Sequence, residues 1–477
     1  MEDLGGATRP FGTMLLNYSN SGNNDFHHED RLPNGLVAPS QAECHYSLAV
    51  TAGSRRWRAR AVLTCAVVAV AGAAATGCVP GSGGGPTAPA ASPRPPASPP
   101  RTDAPSGAAT SHGPPAADAT TAAPGTPGAA ASCVNRVYGR MTEAQQVGQL
   151  FLVGLPADVA SPATTAALQT YHFGSLLLAP SSAGVAALAG ATARLRSLAT
   201  SSVTGGAGFY IAANQEGGQV QHLTGPGFSR MPSALTQGSW PASTLRTAAA
   251  GWGGELRAAG VNLNLAPVMD VVPAGSASTN APIGALDRQF GSDPVSSGTH
   301  GAAFIAGMAS AGVATTAKHF PGLGRVRGNT DFTAGVVDSV TTPTDPYLQS
   351  FHIAVRAGVP FVMVALATYT RIDPTQLAVF SPVVMQLLRS GLGFGGVIIS
   401  DDLGVAAAVA SVPAGDRAVS FLNAGGDMIT SQSLPVAETM ATAILARTAA
   451  DATFRAVVGA AVWRILAAKQ AYGLLGC

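Results

Sequence analysis

One segment of this chain, Lys318-His319-Phe320-Pro321-Gly322, combines a cation, an imidazole and a rigid turn. It follows a small-residue, β-like run at Gly312–Ala317, and a polar loop with Asn329-Thr330-Asp331 comes after it. Proline and glycine allow a sharp turn, and the loop beyond can bring a side chain over a pocket. Polar and charged side chains therefore gather directly after a predicted strand.

A second chemical candidate is Asp401, which ends the apolar run Val397-Ile398-Ile399-Ser400. Its carboxyl group has an ordinary pKa of about 3.9 and is ionised near neutral pH, so it can serve as nucleophile, base or electrostatic stabiliser. The alternative is a helix N-cap, for which the neighbouring Asp402 is the better candidate.

Two further polar clusters accompany these residues. Asn214–His222 is rich in hydrogen-bonding side chains and contains a glycine pair, which suits a neutral polyhydroxylated ligand or simply a polar turn. Arg288 can bind ligand oxygens through its forked guanidinium group, or it can pair with Asp287 or Asp293.

The elements that must position these residues are short apolar runs separated by helical stretches. Thr142 and Gln145 form a capping-box pattern, which predicts a helix that runs towards Phe151. The predicted strands are Gly174–Leu178, Phe209–Ala213, Val261–Pro267, Gly312–Ala317, Phe361–Ala365, Gly396–Ser400 and Asp427–Thr430. The predicted helices between them include Thr299–Ser310, Tyr347–Ala357, Ser381–Ser390 and Leu434–Thr448.

This alternation predicts an α/β fold in residues 133–477, either a (β/α)8 barrel or a doubly wound sheet. The polar residues follow the strands, and strand carboxyl ends form the active-site face of a barrel. The sequence has no glycine-rich dinucleotide motif and no metal-ligand spacing of cysteine or histidine. A single (β/α)8 barrel is therefore the preferred fold, and no metal or organic cofactor is implied.

The amino-terminal third is predicted to lie outside this domain. Residues 1–53 show no periodicity and are interpreted as a disordered leader, or as the product of a start codon assigned too far upstream. In residues 54–78 a basic segment precedes a short apolar run, as in a secretory signal peptide. Residues 79–132 are rich in proline, alanine, glycine and threonine, so they are predicted to be an extended linker.

The segment Ala75-Thr76-Gly77-Cys78 resembles a bacterial lipobox, in which the cysteine is lipidated and becomes the mature amino terminus. Cys78 is therefore the predicted lipidation site, with an ordinary signal peptide or a short anchor as the alternatives. A lipidated cysteine before a linker predicts a domain held at the outer face of the cell membrane. Contact with the membrane would then be through the lipid anchor only.

Of the five cysteines, Cys133 and Cys477 lie at the two ends of the predicted domain. A disulfide between them is plausible in an exported protein, because chain termini are often close and the compartment is oxidising. Two unpaired thiols are the alternative. The formal net charge of +2 and the absence of a basic block make nucleic acid an unsuitable partner.

The ordered set of motifs resembles glycoside hydrolase family 3, specifically its exo-acting β-N-acetylhexosaminidase branch. The matching segments are Gln215-Glu216-Gly217-Gly218, Leu265–Asp270, Asp287-Arg288 through Asp293-Pro294, Lys318–Gly322, Ser400–Leu403 and Ala424–Met428. They cover nearly all of the predicted domain.

The resemblance implies that Asp401 is the nucleophile of a retaining double displacement. It also implies that Arg288, Lys318 and His319 bind the hydroxyl groups of the terminal sugar. Asn214 and His222 stand at two further sugar-binding positions, where the family has aspartate and arginine.

The main departure from the family concerns the acid/base, which this branch carries as the histidine of an Asp-Ser-His loop motif. The corresponding residues here are Asn329-Thr330-Asp331. Asp331 is therefore the predicted acid/base, and it must be protonated to act as an acid.

The resemblance implies an exo-β-N-acetylglucosaminidase that acts on GlcNAc-containing glycans or muropeptides from peptidoglycan. The alternatives are a β-glucosidase or β-xylosidase of the same family, and a sugar- or muropeptide-binding lipoprotein with weakened catalysis.

Overall fold

The structure is a computed structural model that describes residues 127–156 and 161–477. The predicted leader 1–53, the signal peptide 54–78 with Cys78, and the linker up to residue 126 lie outside the described residues.

Eight parallel strands close into a barrel, and each strand pairs with its neighbours in chain order. The last strand closes the barrel by pairing with the first, with Phe151 opposite Ile429. The strands are β1 Phe151–Gly154, β2 Ser175–Leu177, β3 Tyr210–Ala213, β4 Leu263–Asn264, β5 Ala314–Phe320, β6 Phe361–Val364, β7 Val397–Asp402 and β8 Met428–Ser431. The predicted (β/α)8 barrel is confirmed.

Helices surround the barrel or cap its ends. They are α1 Pro127–Tyr138, α2 Glu143–Gln149, α3 Pro162–Tyr171, α4 Gly184–Ser197, α5 Ser201–Thr204, α6 Ala234–Gln237, α7 Ala242–Ala258, α8 Pro294–Ser310, α9 Gln349–Arg356, α10 Pro382–Gln386, α11 Ala414–Ala424, α12 Leu434–Ala450 and α13 Ala452–Ala471. None of the described helices, which lie in residues 127–156 and 161–477, is long and apolar enough to cross a membrane.

Two of the predicted boundaries differ from the structure. Helix α1 begins at Pro127, inside the segment 79–132 that was predicted to be extended linker. The first barrel strand, β1, was not predicted at all. It follows α2 after the single residue Leu150, and the predicted helix extended to Phe151, which is the first residue of this strand.

The strands that carry the chemical residues are longer than predicted. β5 continues through Lys318 and His319, and β7 continues through Asp401 and Asp402. The runs of small or apolar residues that predicted these strands end at Ala317 and Ser400, because charged and polar residues follow. The backbone nevertheless stays extended, because Lys318 and Phe320 still pair with β6.

The amino end of the barrel is filled by side chains. The rings of Tyr210 in β3 and Phe361 in β6 meet edge to face, with centroids 5.3 Å apart, and both residues are fully buried. Lys469 from α13 is also fully buried beneath these strands and donates to Gln149 and to the carbonyl of Gly174. This end is therefore closed by packing.

The two ends of the described domain are joined. Cys133 in α1 and Cys477 form a disulfide with Cα atoms 5.8 Å apart, which is the pairing suggested by the sequence. Helices α1 and α13 pack together, and the amide of Gly208 donates to the carbonyl of Leu474 at 2.7 Å. The chain terminus thus packs against the start of β3.

Candidate active site

A cavity of about 330 Å³ lies at the carboxyl end of the barrel. Strands β2 and β5 to β8 contribute lining residues directly, and the residues that follow β3 and β4 complete the ring. All seven site residues predicted from the sequence line this one cavity: Asn214, His222, Arg288, Lys318, His319, Asp331 and Asp401.

Glu216 organises the cationic side of the cavity. Its carboxylate accepts two hydrogen bonds from Arg288, with Nε to Oε2 and Nη2 to Oε1 both at 2.8 Å. The same Oε1 lies 2.7 Å from Nζ of Lys318. A short antiparallel pair, Gln215–Gly217 with Val220–Gln221, holds this residue beside the end of β3. Glu216 belongs to the sequence segment Gln215–Gly218, which by itself indicates no role for this residue.

The charges of these three groups depend on each other. Burial alone would raise the pKa of Glu216, but Arg288 and Lys318 outweigh it and hold that pKa well below its usual range. Burial alone would lower the pKa of Arg288, and Glu216 raises it above its ordinary value. Burial lowers the pKa of Lys318, and the carboxylate of Glu216 opposes that shift. Glu216 is therefore ionised and supports both cations.

Lys318 also donates to Oδ1 of Asn214 at 2.9 Å. An ammonium group has three hydrogens, and Asn214 and Glu216 take two of them. The third is available to a ligand oxygen in the cavity. Asn214 thereby helps to hold Lys318 in place and also faces the cavity itself.

His319 is oriented by Asp270, which is almost fully buried. Oδ2 of Asp270 accepts from Nδ1 of His319 at 2.7 Å, and its Oδ1 accepts from the amides of His319 and Leu323 at 3.1 and 2.8 Å. A carboxylate only accepts hydrogen bonds, so Nδ1 carries the hydrogen and Nε2 is left for the cavity. Asp270 ends one of the sequence segments that resemble the family, and its contact with His319 is visible only in the fold.

His222 stands at the rim beside the cationic cluster. Burial, and then the positive charge of Lys318, lower the pKa of its imidazole. The ring is therefore neutral near pH 7 and has both a donor and an acceptor nitrogen.

Asp401 lies at the end of β7 on the floor of the cavity. One of its carboxylate oxygens accepts from the amide of Asp402 at 2.9 Å. Burial raises the pKa of Asp401, His319 opposes that shift, and the negative charge of Asp331 increases it. Asp401 therefore becomes ionised at a higher pH than an ordinary aspartate.

Asp402 does not serve as the helix N-cap predicted for it. Its carboxylate accepts from the amides of Gly404 and Gln432 at 2.8 and 3.0 Å, and from Nε2 of Gln432 at 3.1 Å. The residue lies within β7. Through these hydrogen bonds its side chain links the loop after β7 to the loop after β8. It fixes the backbone next to Asp401.

The loop with Asp331 crosses the cavity rim and is held by backbone hydrogen bonds. The carbonyls of Asp331 and Thr330 accept from the amides of Ala407 and Ala408 at 3.0 and 3.1 Å. Oδ1 of Asn329 accepts from the amide of Asp331 at 2.9 Å. The segment after β7 therefore positions Asp331, whose side chain is exposed at the rim.

Two more cavity residues were missed in the sequence. Thr430 in β8 is buried, and its hydroxyl has no hydrogen-bond partner in the described structure. Phe332 lies at the mouth and is 82% exposed. A single threonine in an apolar strand and a single phenylalanine in a loop carry no sequence pattern that would place them in a cavity.

The arrangement combines two carboxylates, Asp401 on the floor and Asp331 at the rim, with a cationic cluster on one side. In such a site the carboxylate on the floor can attack an electrophilic carbon, and the carboxyl group at the rim can donate a proton. Within residues 127–156 and 161–477, no group of three or more histidine, cysteine, aspartate or glutamate side chains is arranged to bind a metal ion.

A family profile described as "Glycosyl hydrolase family 3 N terminal domain" matches residues 142–467. The structure of a β-N-acetylhexosaminidase from Beutenbergia cavernae is similar, with 46% identity and a TM-score of 0.68 over 69% of this chain and 98% of that one. A family 3 β-N-acetylglucosaminidase from a Paenibacillus species has 28% identity and a TM-score of 0.64, over 71% of this chain and 64% of that one.

Curated relatives are similar over a shorter stretch. A β-hexosaminidase from Thioalkalivibrio sulfidiphilus is 36% identical over 228 residues. That alignment covers 46% of this chain and 63% of the relative, so the matched region spans less than two thirds of the relative's length.

Proposed function

This chain belongs to glycosyl hydrolase family 3, and from that premise we propose that it is an exo-β-N-acetylglucosaminidase that removes terminal β-linked GlcNAc. The observation that carries the proposal is the single cavity in which Asp401 lies next to the cluster formed by Glu216, Arg288 and Lys318. The similarity to β-N-acetylhexosaminidases and β-N-acetylglucosaminidases supports the choice of sugar.

The proposed reaction is a retaining double displacement. Asp401 attacks the anomeric carbon and forms a glycosyl-enzyme bond, while Asp331 gives its proton to the departing glycosidic oxygen. Water then enters, Asp331 takes a proton from it, and the resulting attack on the same carbon releases the sugar and restores Asp401. The two carboxyl groups thus return to their starting states.

The cationic side of the cavity is proposed to hold the sugar hydroxyl groups. Lys318 has one hydrogen free for a ligand, and the hydrogen bond that Nδ1 of His319 donates to Asp270 leaves Nε2 for the cavity. Because Glu216 fixes Arg288 and Lys318 before substrate arrives, little ordering is required on binding.

The first test measures hydrolysis of 4-nitrophenyl β-GlcNAc, β-Glc and β-Xyl by the purified chain. Asp401→Asn should lower kcat by about three orders of magnitude or more on the preferred sugar, because the nucleophile is lost. Glu438→Gln, a carboxylate variant on α12 away from the cavity, is the control and should keep full activity.

The outcomes separate the alternative functions. Preference for β-Glc or β-Xyl would replace the proposed sugar by that of a β-glucosidase or β-xylosidase. Absence of turnover on all three substrates, with GlcNAc binding retained in calorimetry, would make the protein a sugar-binding barrel.

A second test addresses Asp331. Asp331→Ala should lose about 10²-fold or more on a β-GlcNAc disaccharide, whose leaving group needs a proton, and much less on the 4-nitrophenyl glycoside. Equal losses on both substrates would remove Asp331 from the acid role. Proton NMR of the first-formed product decides between retention and inversion.

We further propose that the substrates are peptidoglycan fragments and that the chain is exported and lipidated at Cys78. Residues 79–126 would then tether the barrel to the outer face of the membrane, and the barrel would lie near the cell wall. Detergent phase partitioning of wild type and Cys78→Ala tests the anchor. Recovery of both proteins in the aqueous phase would contradict it.

A further inference from the structure

Phe332 is the most exposed large hydrophobic residue of the described part of the chain, with 82% of its surface accessible. Single exposed hydrophobic residues are common on protein surfaces and need no function. Phe332 differs from them because it lines the mouth of the active-site cavity and directly follows Asp331.

The backbone at Phe332 is fixed. Its amide donates to the carbonyl of Asn329 at 3.1 Å, which closes a turn around Thr330 and Asp331. The same turn is bonded to Ala407 and Ala408 of the segment after β7. The phenyl ring is therefore presented at the rim by a turn with hydrogen bonds on two sides.

The position of the ring relative to the reaction follows from the role of Asp331. A general acid protonates the oxygen that joins the sugar to its leaving group. The sugar lies towards Asp401 on the floor, so the leaving group extends from Asp331 towards the mouth. A side chain beside Asp331 at the mouth consequently borders the leaving group and not the terminal sugar.

We propose that Phe332 forms a leaving-group subsite and stacks on the pyranose ring to which the terminal GlcNAc is attached. This inference rests on the proposed function and names the preferred substrate class, namely β-linked disaccharides and longer glycans. One face of a pyranose ring presents C–H groups, which pack on an aromatic face without loss of hydrogen bonds.

The kinetic test compares two substrates with unactivated leaving groups, a β-GlcNAc disaccharide and methyl β-GlcNAc. Only the disaccharide has a ring beyond the scissile bond. Phe332→Ala should lower kcat/KM for the disaccharide by about 3- to 10-fold and leave the methyl glycoside unchanged. Phe332→Trp should restore the preference. Val295→Ala, which removes an exposed apolar side chain of α8 outside the cavity, should change neither value.

Equal effects of Phe332→Ala on both substrates, or no effect on either, would overturn the inference. Loss of self-association in Phe332→Ala, measured by sedimentation, together with unchanged kinetics, would assign the ring to contact between copies of this chain.

Calorimetry gives a readout that does not need turnover. In the Asp401→Asn background, the disaccharide should bind about 3- to 10-fold more tightly than GlcNAc, and adding Phe332→Ala should abolish that difference. A difference that persists in the double variant would overturn the subsite. If the wild type hydrolyses no glycoside, the proposed function fails, yet this comparison still decides the role of Phe332.

Discussion

At the scale of single residues, Glu216 explains how two cations can be held in a mostly buried cavity. Arg288 and Lys318 have side chains that are 13% and 3% exposed, and both bond to the same carboxylate. The desolvation of three charges is offset only while all three are present. Glu216 therefore stabilises the charges of Arg288 and Lys318 and fixes their side chains, and these two residues line the cavity.

Glu216→Gln should lower the free energy of unfolding by about 3–5 kcal/mol and raise KM, because it leaves two buried cations without their anion. Urea unfolding and steady-state kinetics measure the two effects. Glu143→Gln is the matched control, since it breaks the exposed pair with Arg455 and should cost no more than about 1 kcal/mol. A similar small change in both variants would contradict the organising role.

The pH dependence of the reaction provides a second prediction at this scale. In the proposed reaction Asp401 must be ionised to attack, and burial raises its pKa above the ordinary value. Activity is therefore lost as the pH falls through that raised pKa. Asp331→Asn removes a negative charge that raises the pKa of Asp401, so the acid limb of kcat/KM should move to lower pH.

The measurement uses 4-nitrophenyl β-GlcNAc, whose leaving group needs little protonation, so that the remaining activity can be followed. An acid limb at the same pH in both proteins would show that the two carboxylates do not interact.

At the scale of elements, the site depends on two loops that follow β5 and β7. The β5 loop carries Asp331, but the backbone that fixes Asp331 belongs to the segment after β7. Strand β7 also carries Asp401, so one element supports both proposed catalytic carboxylates.

Ala407→Pro tests this dependence, because it removes the amide that donates to the carbonyl of Asp331. Ala406 is extended, with ψ at 134°, which is compatible with a proline after it. Loss of one hydrogen bond of about 1 kcal/mol should lower kcat/KM roughly 5-fold on the disaccharide and less on the 4-nitrophenyl glycoside. Ala407→Gly keeps the amide and should behave like wild type. Equal losses with Pro and Gly would refute the role of this bond.

At the scale of the whole molecule, the amino end of the barrel contains an unusual group. Lys469 is fully buried, and burial lowers its pKa to about 7. Its two acceptors, Oε1 of Gln149 and the carbonyl of Gly174, match the two hydrogens of a neutral amine. The unfolded chain binds a proton at this site up to an ordinary pKa of 10.5.

Between about pH 7 and 10.5 the unfolded state therefore holds one more proton than the folded state at Lys469. Its contribution to stability is complete above this window and is lost as the pH falls to about 7. Urea unfolding should show stability rising with pH by at most about 1.4 kcal/mol per unit from this group. Lys469→Met should remove that part of the slope, and an unchanged slope would contradict the assignment.

The disulfide between Cys133 and Cys477 also acts on the whole domain, because it joins residues 344 positions apart. Its loss should lower the free energy of unfolding by about 2–5 kcal/mol, since the unfolded chain gains freedom. Urea unfolding with and without dithiothreitol measures this for the wild type. The Cys133→Ala/Cys477→Ala variant should be insensitive to the reductant; equal sensitivity of both proteins would point to another effect.

The sequence by itself determined the barrel and seven of the residues that line its cavity. Seven of the eight strands follow from local apolar runs, and the side chains after them must gather because parallel strands end at one face. The residues at Asn214, Lys318 and Asp401 were found in this way. β1 was missed because its four residues directly follow a helix and are too few to show a strand pattern distinct from that helix.

Only the tertiary structure decided which groups act on each other. Glu216 lies 72 residues from Arg288 and Asp270 lies 49 residues from His319, and no local pattern links them. The same holds for Asp331, whose position is set by Ala407 in another loop, and for Phe332 at the cavity mouth. Burial and charge pairing are properties of the folded surroundings, so the pKa shifts of Asp401 and Glu216 arise only when the barrel closes.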